Sequence, residues 1–583
     1  MRVYPRPAMN RRRFFLLLLA VANAALALAA WTRQPWANGP AEWRWQYVPA
    51  GGPGFSAAAA LAMLAPLAAL AALAGLGVLW GHGRLAAWRG APLLAVACGA
   101  AFTFALVAVQ PGGFARVTAA LVSRNSFGYV WDAVLAPPTR ALLADYPAAS
   151  AGLNQHSLTH PPGPLLAVRA LGWLDSVLPA PAARRTSRAD TRTGPVSEPG
   201  AATGAERADG DGGSGGGGLP GLAAAAIDRE VARARSHGRP VPRPPPGPWT
   251  VTALAVLLPA LSALAAWPLY LLARRWGLAP ETALLAAVLW LLAPARSLFT
   301  PSFDQALPAL LIGAAWLAAG GGRARAAAAG ALLFAACFTS YGCLPALPLV
   351  AACAAVAAPT ATTRREASGV LVSASSPLPA PAPAPAAPGW QRWGALALGF
   401  GLPWLALAVA AGYDPWHALR AALEIHQRIA VAPRSYATWL LWNPYDFALL
   451  LSPGVLGLAA AALFPVWWPG GSPAGPLSQR PAGWRAAWTW WASLALLLLS
   501  GGVRGESGRI WLLWMPFGCL FAAAAASVSG PRGAGRPAWA TQPETREPMA
   551  EAGLWKAGVA LLLATEAALA LALAASMVFV SAS

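Results

Sequence analysis

Thirteen apolar runs, each 16 to 25 residues long, divide this chain: 14–30, 57–80, 91–110, 249–272, 279–294, 304–320, 325–340, 342–357, 393–411, 446–467, 486–501, 510–528 and 555–579. About 20 apolar residues in a helix cross the ~30 Å hydrocarbon core of a bilayer. In lipid every backbone N–H and C=O must find a partner within the protein, which a helix provides. The expected fold class is therefore an all-α polytopic membrane protein of about 13 transmembrane helices, with amphipathic helices on its outer surface. Charged residues make up 11% of the chain, well under the ~25% of a soluble domain.

Arginine sets the orientation. Lys556 is the one lysine beside a net charge of +20. With the N-terminus in the cytoplasm, the cytoplasmic turns hold Arg84 and Arg89, Arg274 and Arg275, Arg323 and Arg325, Arg364, Arg365 and Arg392, Arg480 and Arg485, and Arg532, Arg536 and Arg546. This is the positive-inside pattern. These arginines are scattered through loops rather than striped along a helix, which argues against a nucleic-acid partner despite the basic pI. Arg11–Arg13 precede FFLLLLAVANAALALAA, which reads as an uncleaved first helix rather than a signal peptide.

Five segments follow: an N-terminal membrane part with outer loops (1–179), a Gly/Pro/Arg-rich outer insert (180–247), a central bundle (248–357), a Pro/Ala-rich cytoplasmic linker (358–389) and a C-terminal bundle (390–583). By composition the insert and the linker are disordered. Residues 165–178, LLAVRALGWLDSVL, are short and interrupted by Arg169 and Asp175, so they are expected to lie on the outer surface.

This threading gathers polar groups on one face. The outer loops hold Glu42, Asp132, His156, His160, Asp304, His417, His426, Arg434, Arg504, Glu506 and Arg509. Each has an ordinary alternative. Glu42 is either a solvated carboxylate or a base whose pKa is raised by Trp36, Trp43 and Trp45, and those tryptophans also suit an interfacial belt. His156 and His160 are loop histidines or site residues; Pro161 and Pro162 work against a helical metal pair. No metal spacing occurs among the five cysteines, no cofactor is assigned, and a divalent metal stays open. Arg504, Glu506 and Arg509 in RGESGRIW are either a capping ion pair or, since guanidinium groups grip phosphate bidentately, a site for a lipid-linked phosphate. A transporter would need ionisable residues at the bilayer midplane, and most spans are Ala/Leu/Val-rich and free of charge at their centres. A scaffold without chemistry would leave the outer polar groups unclustered.

Four stretches resemble the C-type integral-membrane glycosyltransferases, in particular the protein O-mannosyltransferase-like and aminoarabinose-transferase-like group: NSFGYVWDAV with THPPGPLLA; ARRWGLAPETALLAAVLWLLAPA followed by PSFDQALPALL; YDPWHALRAALEIHQ with RSYATWLLWNPYDF; and RGESGRIWLLWMPF. His160-Pro161-Pro162-Gly163 looks like that family's "xPPL" element, and Ala273–Gly277 like its "ARRL-G" turn. The first outer loop departs from the family in having Glu42 where an acidic pair is usual. The resemblance implies inverting transfer of a sugar from a polyprenyl phosphate to an acceptor hydroxyl outside the cytoplasm, at a bacterial inner membrane. Glu42 or Asp132 would be the base and Arg509 with Arg504 would hold phosphate. His160, His417 and His426 would orient sugar or acceptor.

Overall fold

The structure, a computed structural model, describes residues 11–40, 45–47, 64, 67, 68, 90–110, 112–124, 126–179, 181, 218–355, 389–468, 482–505, 507–527 and 547–579. These residues form a helical bundle. The exception to helix is one short antiparallel pairing of Trp45–Tyr47 with Met577–Phe579. That pairing puts the ends of the first and last long helices, Arg11–Trp31 and Glu547–Ser576, at the same end of the bundle. The two pack against each other along their length.

Among the described residues, six helices are long and apolar enough to span a membrane: Phe14–Trp31, Ala91–Val109, Pro248–Arg275, Pro280–Leu298, Trp390–Ala411 and Lys556–Ser576. A seventh is added if the bent pair Tyr436–Leu451 and Pro453–Ala461 counts as one span. Thirteen apolar runs therefore do not become thirteen long helices among the described residues, and run 57–80 lies almost wholly outside them. Prolines account for much of the difference. Pro308, Pro345 and Pro516 stand in or just after 3-10 turns that open the runs at 304, 342 and 510, and the regular helices that follow are short. Proline suits a first turn but forfeits an interior hydrogen bond. The run 446–467 breaks at Ser452, whose φ of +88° precedes Pro453, and the two helices meet at 102°.

Pro280–Leu298 is the central helix, with 94% of its apolar window buried, whereas Trp390–Ala411 is peripheral, with 0%. The peripheral helix crosses Arg323–Thr339 through Gly399 and Gly330. A Cβ on either would overlap the opposing backbone at Ala327 or Leu396, the close approach that small residues permit between membrane helices.

The insert is a correction. Within 180–247, residues Gly218–Ser236 form a 19-residue helix that buries Ala223, Ala226, Ile227, Glu230 and Ala234. Its apolar face joins a second core cluster with Val117, Leu121, Val251 and Leu254. LAAAAIDREVARARS carries helical periodicity inside a segment whose average composition conceals it. Residues 165–178 divide into the helices Gly163–Leu171 and Leu174–Val177, the longer covering only ~14 Å at 1.5 Å per residue.

Candidate functional site

The NQHSLTHPPG stretch is held from below by Asp132. One carboxylate oxygen, Oδ2, accepts the Asn154 N–H (2.9 Å) and the Ser157 hydroxyl (2.6 Å). Asn154 in turn caps the turn Gln155–Thr159 by accepting the His156 N–H, a helix-capping role that suits asparagine. Tyr146 donates its hydroxyl to the Ser157 carbonyl. Burial pushes the Asp132 carboxyl up, with Ser157, Asn154 and Arg124 working against it. Asp132 thus holds the histidine turn in place and is not among the residues that line the narrow pocket beside it.

His160 leaves that turn in extended backbone, with Nδ1 3.0 Å from the His156 carbonyl oxygen. A carbonyl can only accept, so the neutral ring carries its proton on Nδ1 and leaves Nε2 as acceptor. Burial lowers the His160 pKa, while nearby Asp304 works to raise it. Gly163 seats the Pro-Pro element against the next bundle helix, because a Cβ there would overlap the Phe338 carbonyl.

Asp304 enters from the turn before Leu307–Ala318. Ser302 accepts its N–H at 3.1 Å and donates to its Oδ2 at 2.7 Å. Arg509 faces it, with Nε 3.8 Å from Oδ2. The Arg509 loop is fixed by the helix Tyr436–Leu451: Asp446 Oδ2 accepts the Ser507 hydroxyl (2.8 Å) and the Gly508 N–H (2.7 Å), and Asn443 bonds Gly505 and Val503. His156, His160, Asp304 and Arg509 therefore line one narrow pocket with Tyr129.

Arg509 and Ser302 also line a second, larger cavity of about 290 Å³. Its other charged walls are Arg116, Arg229, Arg233 and Glu230, so four guanidinium groups face one carboxylate. Glu230 is engaged by Arg233 at 3.3 Å. Arg116 is largely buried, donates to Gln110, and has its pKa pushed down to about 10 by burial. Sequence reasoning missed Arg116, Arg229, Arg233, Tyr129 and Ser302. The i, i+4 spacing of Arg229 and Arg233, opposite the apolar Ala223 and Ile227, was the available signal.

The remaining candidates are elsewhere. His417 is exposed at a helix start capped by Asp414. His426 is tied through Nε2 to the Gly502 carbonyl at 2.9 Å, close enough to His160 to affect it electrostatically. Arg434 and Arg504 clamp each other's backbone carbonyls, and Arg504 also reaches the Val431 carbonyl. Arg504 is thus spent on loop structure, and Arg509 is the member of the pair that faces the pocket. Glu42 and Glu506 lie outside the described residues. Among the described residues no cluster of three His, Cys, Asp or Glu side chains is placed to hold a metal. Comparisons of the chain with protein-family models, curated proteins and solved structures return no match.

Proposed function

We propose that this protein is a membrane glycosyltransferase that moves a sugar from a polyprenyl-phosphate donor to an acceptor hydroxyl, with inversion. The N-terminus is cytoplasmic in this reading and the site faces outward, as at a bacterial inner membrane. One observation carries the proposal: Arg509 stands between an arginine-walled cavity and a pocket of histidine, aspartate and tyrosine. Transfer from a phosphate-linked donor needs that pairing. Cationic groups stabilise the leaving phosphate, and a nearby base takes the acceptor's proton.

In this mechanism Asp304 takes the base role first expected of Glu42 or Asp132. The acceptor oxygen attacks the anomeric carbon, its proton passes to Asp304, and the carbon–oxygen bond to phosphate breaks. The phosphate keeps that electron pair and remains beside Arg509, Arg116, Arg229 and Arg233. As it binds, phosphate competes with Asp304 for Arg509 and frees the carboxylate to act. Neutral His160 offers Nε2 to a sugar or acceptor hydroxyl.

The test is transfer of labelled polyprenyl-phosphate mannose, glucose, galactose and arabinose by the purified protein in lipid nanodiscs, beside Arg509→Ala. Turnover lost in the variant supports the reading. Absence of both turnover and binding for every donor sinks it. A transporter or lipid flippase is the second reading, favoured by the fully buried Glu566 beside a broken helix. Movement of intact donor across a vesicle membrane would select it.

A further inference from the structure

A carboxyl group sits at the centre of the last span. Glu566 lies ten residues from either end of Lys556–Ser576 and is 0% exposed, so it is ~15 Å from both ends at 1.5 Å per residue. The last span is thus an exception to the charge-free centres of most apolar runs.

Two other elements meet this carboxyl. Asn23, in the middle of the first span, donates from Nδ2 to Glu566 Oε2 at 3.0 Å. Asn23 Oδ1 accepts the Gly454 N–H at 2.9 Å, in the first turn after the break. A backbone N–H can only donate, so the amide orientation is fixed and its NH2 side must face Glu566. Ser452, at the break itself, hydrogen-bonds the same carboxyl through its hydroxyl and accepts the Val455 N–H. The second carboxyl oxygen, Oε1, is fully buried without a hydrogen-bond partner in the protein.

The surrounding charges do not answer an ionised carboxylate. The helix Ala91–Val109 contains no Asp, Glu, Lys, Arg or His, and Pro280–Leu292 has only Glu281, in its first turn. Cys519 is close enough to interact electrostatically with both Glu566 and Arg296, and Arg296 is bonded to Thr103 and the Leu291 carbonyl. A carboxylate held by one amide and one hydroxyl, with no cation bonded to it among the described residues, is costly in hydrocarbon. A metal cation is poorly served as well. The amide turns donors toward the carboxyl, and Asn23 Oδ1 is already engaged.

We propose that Glu566, Asn23 and the Ser452 break form a proton-binding site inside the membrane, with the proton carried on Glu566 Oε1. The neutral acid joins the first span, the last span and the bent pair at one depth. It lies outside the Arg509 pocket and is independent of the transferase reading.

The experiment is infrared spectroscopy of the full-length protein in nanodiscs at pH 7, in sodium and in choline chloride. The expected result is a carboxylic-acid carbonyl band worth one residue, the same in both salts, lost in Glu566→Gln and shifted in Asn23→Leu. A band unchanged in Glu566→Gln, or one that emerges only when sodium is removed, overturns the proposal; the second result makes a metal cation the occupant. If Glu566→Gln does not fold, Asn23→Leu decides alone, and an unshifted band is the refuting outcome.

Discussion

Asp304→Asn separates binding from chemistry. The Asp304–Arg509 pair is 3.8 Å apart with both side chains about nine-tenths buried. At an effective dielectric of 20 the attraction is about 4 kcal/mol, most of it offset by the desolvation of both ions. The asparagine variant is therefore expected to fold with a melting temperature within a few degrees of wild type. Its Arg509 no longer has a competing carboxylate, so donor phosphate should bind ~1 kcal/mol tighter, roughly five-fold. Transfer should fall by about 10²–10⁴-fold because the proton acceptor is gone. Donor affinity by fluorescence titration and turnover with labelled donor, measured on the same nanodisc preparation, give the two numbers. Weakened binding would refute the competition between phosphate and Asp304. Turnover within three-fold of wild type would refute the base assignment. Asp132→Asn provides the contrast: losing charge-assisted bonds to Ser157 and Asn154 costs about 1.5–3 kcal/mol of stability, seen as a lower melting temperature, with donor affinity nearly unchanged.

Other expectations concern the second cavity, the Pro-Pro turn and His160. Arg229→Ala and Arg233→Ala should each weaken donor binding by about ten-fold at low salt and less at high salt, because both side chains are exposed and screening acts on them; equal affinities across salt would remove the insert helix from the site. Gly163→Leu, which would complete a Pro-Pro-Leu element, should destabilise the protein through its clash with the Phe338 carbonyl, and a thermal shift assay showing wild-type stability would refute that contact. Burial depresses the His160 pKa, so the folded state keeps a neutral ring. Below ~6.5, the ordinary histidine value, the unfolded state takes up the proton first, and this stability is lost as pH falls further through the folded value. His160→Gln should flatten the decline in melting temperature between pH 7 and 5, and an unaltered slope would refute it.

Helical, apolar character was legible in the sequence because hydropathy is a local, additive property of a chain. Helix interruption was less so. LLLSPGVL reads as a continuous apolar run, yet Ser452 and Pro453 turn the chain by 102°. Ser-Pro-Gly is a turn signal that averaging over a window of residues dilutes. The insert helix was obscured in the same way, its 3.6-residue period submerged beneath flanking glycine and proline. Glu566 was invisible for a different reason. One acid in ATEAALALALAA hardly changes the mean hydropathy, and its partners Asn23 and Ser452 belong to other helices far away in sequence.

The site itself shows where residue type stops being informative. Asp132 and Asp304 are both acidic, both near the same end of the bundle, and both beside serines in space. What separates their roles is the direction of their hydrogen bonds. Asp132 accepts from Asn154 and Ser157, the residues of the turn it stabilises, so its charge is consumed in shaping the backbone that presents His156 and His160. Asp304 is capped by Ser302 next to it in sequence and faces Arg509 from a different segment, so its charge opens into the pocket. The same distinction divides the arginines. Arg434 and Arg504 spend their guanidinium groups on each other's carbonyls, and that mutual clamp, with Asn443 and Asp446, holds the loop from which Arg509 reaches Asp304. A proximal run such as RGESGR thus supplies one cation that clamps a loop and one that faces a pocket, and only the three-dimensional accounting of donors and acceptors tells which is which.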